Sequence, residues 1–249
     1  MEVHAHTHTA RKKWTHYFWE FLMLFLAVFC GFLAEYQLEH MIEHQREKQY
    51  MQSMLSDLKA DISTINTAIP SKEARVRAID SVFLFFNSNT DVKTISGKLF
   101  RTIRRTNFDI RFIRTNITLN QLKNAGGMRL IRKRQVADSI SAYDLYCEST
   151  ISLYNEYYIA NGQLGARQFE KLFTAADLLP LYIANKTGAI VSNIPDSLVI
   201  RINTAGINEQ LNFMMQEKAY ALQEIGRYTR LREKAEQLMG LIGKEYHLK

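Results

Sequence analysis

The chain has 249 residues, 47% hydrophobic and 23% charged, with three prolines, eleven glycines and two cysteines. That is enough apolar material for one sizeable core, and so few helix breakers favour long helices over many short strands. Cys30 and Cys147 are too few and too far apart in character, one in an apolar run and one in a polar region, to form a disulfide framework. The formal charge of +7 is uneven. Ten basic residues against Asp109 alone lie between Arg101 and Arg134, a local excess of nine, so the rest of the chain is slightly acidic.

Met1 to Ala10 carries His4, His6 and His8 in alternation, a weak metal-binding composition and more simply a solvated lead-in. Residues 17–34 are the longest apolar run. A membrane-spanning helix needs ~20 mostly apolar residues at ~1.5 Å rise each, which this run reaches with its aromatic ends and Glu20 included. Arg11, Lys12 and Lys13 precede it, and Glu35, Glu39 and Glu43 follow. Basic flanks stay cytoplasmic, so the expectation is a cytoplasmic tail (residues 1–16), a transmembrane helix (17–36) and a periplasmic domain (37–249) in a bacterial inner membrane. Phe32 stands where a signal-peptidase site needs a small residue, and Phe29 stands where lipid attachment at Cys30 would need one, so an uncleaved anchor is expected.

Glu20 is the ionisable residue within the span, and such residues are functional candidates. On a helix it shares a face with His16, Ala27, Gly31 and Ala34. Ala27 and Gly31 form a small-xxx-small pair that admits a second helix closely, marking a contact face for a second copy or another inner-membrane protein. The alternatives are that Glu20 snorkels toward the cytoplasmic interface, or serves a proton-coupled accessory role.

Beyond the span, apolar residues recur at Met51, Leu55, Leu58, Ile62, Ile65 and Ile69, the spacing of a coiled-coil or bundle seam. The spacing predicts one rod ending near Ala68, a turn at Pro70, and a second helix capped by Ser71 that folds back with Val76, Ile79, Val82, Phe83 and Phe86. Val92 to Ile103 reads as a short third helix. Thr118-x-x-Gln121 reads as a capping box opening a brief helix that Gly126-Gly127 ends. Val136, Ile140, Tyr143, Thr150, Tyr154 and Tyr158 line a long helix that could extend to Pro180, its tyrosines at the core rim with wet hydroxyls. Residues 189–194 and 198–202 read as short strands, and a last helix of about forty residues starts at Ile207. The expected class is all-α: a transmembrane helix continuing into a coiled-coil-like antiparallel bundle.

Glu20 in the apolar span, the charged helix of residues 47–62, and the segment Leu119-Asn-Gln-Leu-Lys-Asn-Ala-Gly-Gly-Met-Arg-Leu-Ile-Arg-Lys-Arg-Gln-Val136 together resemble a family of single-pass membrane proteins common in Bacteroidetes, catalogued as a domain of unknown function. The family's corresponding segment carries Ser and Asn where this chain has Ala125 and Gly127. The resemblance covers about residues 15 to 160. It implies the single-span topology and brings no catalytic residue.

Two constellations invite chemistry. His40-Met-Ile-Glu43-His44 has the H-x-x-E-H spacing, two histidines one turn apart with a glutamate between; a metal-dependent hydrolase would use them with a third ligand, whereas charge patterns of this spacing are common on exposed helices. Arg101, Arg104, Arg105, Arg111, Arg114, Arg132, Lys133 and Arg134 form the basic region, read as a docking surface for a partner or acidic envelope ligand or as a solvated face. No nucleic-acid motif accompanies it, and no nucleic-acid partner, cofactor or enzymatic activity is expected. Phosphate-loop, Gly-x-Ser-x-Gly and Cys-x-x-Cys patterns are absent, as are internal repeats.

Overall fold

A computed structural model describes residues 14–89, 91–107, 109–124, 126–183 and 194–248. The tail histidines, Arg11 to Lys13 and residues 189–193 of an expected strand lie outside this set. The described residues hold six α-helices, α1 (Trp14–Ser88), α2 (Gly97–Thr106), α3 (Ile117–Asn124), α4 (Arg134–Leu172), α5 (Ala175–Ile183) and α6 (Ile207–Tyr246), with two three-residue strands, β1 (Thr94–Ser96) and β2 (Val199–Arg201). The fold is all-α, as its composition predicts. The chain divides into two units, residues 1–50 and 51–249.

In the first unit, α1 is long and apolar enough to cross a membrane. Phe21, Leu24, Phe25, Val28 and Phe32 are all exposed, as expected of side chains whose solvent is lipid.

In the second unit, three long segments pack together: residues 51–88 of α1, α4 and α6. Arg232 meets Asn66, Glu224 meets Lys72, Glu217 meets Arg75 and Lys218 meets Asp80, so α6 descends as α1 rises. Tyr143 reaches Asp61, and Lys72 lies against Tyr154, so α4 runs parallel to α1. The expected fold-back at Pro70 does not occur; α1 passes through Pro70 unbroken to Ser88. An interior proline costs ~3 kcal/mol through its lost hydrogen bond and ring clash. Past it the buried stripe continues in phase through Lys72, Arg75, Ile79, Val82 and Phe86, and Ile79 and Val82 alone offset that cost at ~1.5–3 kcal/mol of burial each.

A second correction concerns residues 92–103, where the chain forms β1 before α2. Ile95 pairs with Ile200 in an antiparallel ladder, both buried in an apolar cluster with Phe100, Ile103, Phe169, Leu172 and Phe173. Ser96 caps α2 by accepting from the Leu99 amide at 3.2 Å. Gly97 lies so close to the chain after Ile194 that an added Cβ would stand 2.0 Å from the Pro195 carbonyl oxygen. The long tyrosine-bearing helix ends at Leu172 rather than continuing, and α5 starts afresh at Ala175. Strand β2 falls within the expected 198–202, and α6, at 40 residues, starts where expected.

Helix α3 is not opened by a capping box. Its start is held by α1: Asp57 accepts from the Thr118 amide at 2.8 Å and Asp61 from the Thr115 amide at 2.6 Å, carboxylates meeting the unpaired amides and positive end of a helix dipole. Gly126, at φ 65°, supplies the left-handed residue after it.

If α1 is continuous, Pro70→Ala restores a helix hydrogen bond at an exposed position and raises stability by about 1–3 kcal/mol, measured by denaturant unfolding of the full-length protein. A fold-back turn at Pro70 would instead make this substitution destabilising.

Candidate functional site

Lys72 and Arg75 interrupt the apolar stripe of α1, and α6 answers them. Gln210, Glu217 and Glu224 recur every seven residues among Phe213, Met214, Ala221 and Tyr228, and all are buried. Lys72, fully buried, donates to both Asp109 oxygens at 2.8 Å and to Glu224 Oε2 at 2.7 Å. The Tyr154 and Tyr228 rings lie 5.4 and 5.2 Å from its ammonium, within cation–π range. Arg75 donates from Nε to the Thr106 carbonyl at 2.6 Å and from Nη2 to Glu217. Glu217 also accepts from the Tyr157 hydroxyl at 2.7 Å. Burial pushes the Glu224 carboxyl above its ordinary range, with the Lys72 charge opposing. Burial likewise raises Tyr154, Tyr157, Tyr220 and Tyr228 well above the phenol range, so these rings act as neutral donors and aromatic walls.

Beside this cluster lies a cavity of about 970 Å³, near the upper end of the range for small-molecule sites. Arg75, Asp109, Tyr154, Tyr157, Tyr158, Asn161, Glu217 and Tyr220 line one part of it. Phe169, Phe173, Leu178, Leu179 and Phe213 line another, together with the polar Glu170, Lys171, Thr174 and Asn203. Arg104 also faces it, its guanidinium 4.9 Å from the Phe169 ring centre. Gly162 and Gly165 shape the α4 wall. A Cβ at Gly165 would stand 2.8 Å from the Phe213 ring, whereas at Gly162 it would meet nothing within 4 Å, so Gly165 permits close helix packing and Gly162 opens space. Tyr157 and Tyr220 stack with centroids 3.5 Å apart.

The sequence-predicted basic residues disperse around this domain. Arg104 lines the cavity, Arg101 bonds Asp196 and the Ile194 carbonyl, and Arg114 bonds Asp144 at 2.6 Å. Lys133 reaches Glu245 at 3.4 Å and Arg134 reaches Asp138 at 3.7 Å. Arg105, Arg111 and Arg132 are exposed. In the first unit, His16 lies 3.0 Å from Glu20, and Ala27, Gly31 and Ala34 are exposed on the same helix. His40 approaches Glu43 at 3.8 Å and His44 approaches Glu47 at 3.5 Å. Among the described residues no group of three or more His, Cys, Asp or Glu side chains is placed to hold a metal ion.

The chain matches no protein-family model, no curated protein and no solved structure.

A second polar cluster serves the scaffold. Asp61 accepts from the Tyr143 hydroxyl at 2.7 Å, so this tyrosine's hydroxyl is buried and bonded rather than wet. Asp144 joins Arg114 and Lys123. Burial raises the Asp144 carboxyl, but hydrogen bonds from Lys123 and Arg114 outweigh it and hold the group below its ordinary value of 3.8. Cys147 nearby is buried, and burial pushes its thiol up to about 12, which makes it a packing residue rather than a nucleophile.

Two outcomes follow. Arg75→Met leaves Glu217 buried without its cation and should cost about 3–5 kcal/mol of unfolding free energy. Asp144 adds stability that is present above pH 3.8 and lost as pH falls through its lower folded value. Asp144→Asn should therefore flatten the acid limb of a stability–pH curve; an unchanged limb would show that Asp144 is not held low.

Proposed function

We propose that this chain is a non-enzymatic, single-pass inner-membrane protein, with its N-terminus cytoplasmic and residues 37–249 periplasmic, whose helical domain binds a small ligand. The observation that carries the reading is the cavity of about 970 Å³ beside the Lys72–Arg75 cluster. A large, part-aromatic cavity with a few convergent charged groups is the usual form of a ligand site. Among the described residues its lining includes no histidine, cysteine or serine, and burial shifts Tyr154, Tyr157 and Tyr220 away from a proton-transfer range, which favours binding over turnover. The family resemblance, which brings a single span and no catalytic residue, agrees with this reading. The Glu20, Ala27, Gly31 and Ala34 face would join the anchor to a second copy or another membrane protein.

A second reading, docking of an acidic envelope partner, is favoured by the exposure of Arg105 and Arg111 and of Ile110, Ile113 and Ile117 in the same stretch of chain.

The test is thermal stabilisation of the full-length protein across a panel of sugars, amino acids, organic cations and amphiphiles, repeated with Gly162→Phe to fill the cavity. One class should raise the unfolding midpoint of the wild type and not of the variant. No response from any class overturns the ligand reading. Recovery of a membrane protein partner that Arg105→Gln/Arg111→Gln loses would then put docking in its place.

A further inference from the structure

The polar groups lining the cavity divide into those the protein already uses and those it leaves over, and the remainder points to a class of molecule. We propose that the cavity takes an uncharged oligosaccharide. This inference rests on the ligand-binding reading above and sharpens it.

Charge comes first. The lining carries three cations, Arg75, Arg104 and Lys171, and three carboxylates, Asp109, Glu170 and Glu217, so the two signs balance. Nearly all of these groups are engaged. Asp109 accepts twice from Lys72, Arg75 bonds Glu217 and the Thr106 carbonyl, Lys171 bonds Glu209, and Arg104 also has a partner. A ligand ion of either sign must break one of these pairs or enter without a counter-charge, and both are costly. Glu170 is exposed, where a carboxylate holds a cation weakly and still accepts from a hydroxyl.

What is left over is neutral. Asn161 donates from Nδ2 to the Tyr157 carbonyl at 3.0 Å, which leaves its Oδ1 to accept. Asn203 accepts at Oδ1 from the Ala205 amide at 3.2 Å, which leaves its Nδ2 to donate. The Tyr157 and Tyr220 hydroxyls are taken by Glu217 and the Leu153 carbonyl. Those of Tyr154 and Tyr158 have no hydrogen-bond partner among the described residues. Together these groups offer donors and acceptors without charge, which is what the hydroxyls of a sugar require.

Shape and aromatic surface agree. The lining residues on α4 run from Tyr154 to Lys171, ~25 Å at ~1.5 Å per residue, which suits an extended chain over a single small ring. Polar and aromatic groups recur together along that length: Asn161 follows Tyr154, Tyr157 and Tyr158, and Glu170 follows Phe169. A chain of sugar units carries the same mixture, since every unit has hydroxyls at its edge and C–H groups on its faces. Tyr158 supplies the open ring. It is 57% exposed and stacked on Tyr154, with ring centres 5.8 Å apart and planes 14° from parallel. The negative face of such a ring attracts C–H groups.

The experiment titrates the full-length protein, in nanodiscs of a zwitterionic phospholipid with empty discs subtracted, by calorimetry. The uncharged probes are cellotetraose, maltotetraose and N-acetylchitotetraose. The charged ones are tetragalacturonate and fully deacetylated chitotetraose, at a mildly acidic pH where its amines are protonated. At least one uncharged tetrasaccharide should bind about tenfold or more tightly than either charged one. Tyr158→Ala should weaken that sugar roughly tenfold, and Tyr158→Phe, which keeps the ring and loses the hydroxyl, roughly threefold. Gly162→Phe, which fills the cavity, should abolish binding. Equal or tighter binding of a charged tetrasaccharide overturns the uncharged class. Sugar binding that Tyr158→Ala and Gly162→Phe leave unchanged overturns the site. No binding by any tetrasaccharide, in a protein that the broader panel stabilises with another class, overturns the oligosaccharide and leaves the ligand-binding reading standing. Unchanged far-ultraviolet circular dichroism and unfolding midpoints for the unliganded variants separate lost binding from lost fold.

Discussion

Four charged side chains in the middle of the domain, Lys72 and Arg75 on α1 and Glu217 and Glu224 on α6, joined by Asp109 from the segment between α2 and α3, hold α1 and α6 in one register, and the Tyr157 hydroxyl on Glu217 ties α4 to them. Each is nearly or fully buried, and taking such groups from water costs several kcal/mol apiece. The cost is met only where every partner stands opposite its mate. Helices sliding by one turn past each other would keep an apolar seam largely intact, because apolar packing is non-directional. The same slide would separate Lys72 from Glu224 and Arg75 from Glu217. On this account the ions contribute alignment more than net stability, which is what substitutions of buried pairs in other proteins lead one to expect.

The cavity is a consequence of that alignment. With α1, α4 and α6 fixed at the ionic cluster, the next turns of α4 carry Gly162 and Gly165, and the wall opens at the first and closes on Phe213 at the second. Further on, α4 ends at Leu172, the chain turns at Phe173, and α5 lays Leu178 against the same space. The apolar cluster around Ile95, Phe100 and Ile200 supports this end from behind. Two different kinds of packing, ionic and apolar, thus border one cavity.

The helical class, the apolar run and the start of α6 were legible because each rests on a long repeating pattern. Pro70 misled because its local cost is real, and only the burial of residues beyond it, a tertiary fact, outweighs it. The capping box at Thr118 misled for the converse reason: the local motif was present, but carboxylates of α1 had taken its role. The site was the least legible part. The basic run between Arg101 and Arg134 includes Arg104, but five of its ten basic residues, Arg101, Arg114, Lys123, Lys133 and Arg134, settle into ion pairs around the domain. Most of the residues that build the cluster were written as charges on apolar stripes, Lys72 and Arg75 on α1 and Glu217 and Glu224, seven residues apart, on α6. A search for ionisable residues in phase with a buried seam would have found them. Asp109 and the α5 wall come from irregular or short segments and carry no periodic signal.

The claim that this cluster aligns the helices is tested most directly by a double-mutant cycle between Lys72 and Glu224, using Lys72→Met, Glu224→Leu and the pair, with unfolding free energies of the full-length protein. The account predicts that each single substitution is strongly destabilising and that the pair recovers much of the loss, a coupling of roughly 2 kcal/mol or more. Additive losses, with coupling near zero, would mean that the two charges do not meet in the folded protein and would remove the basis for the register described here.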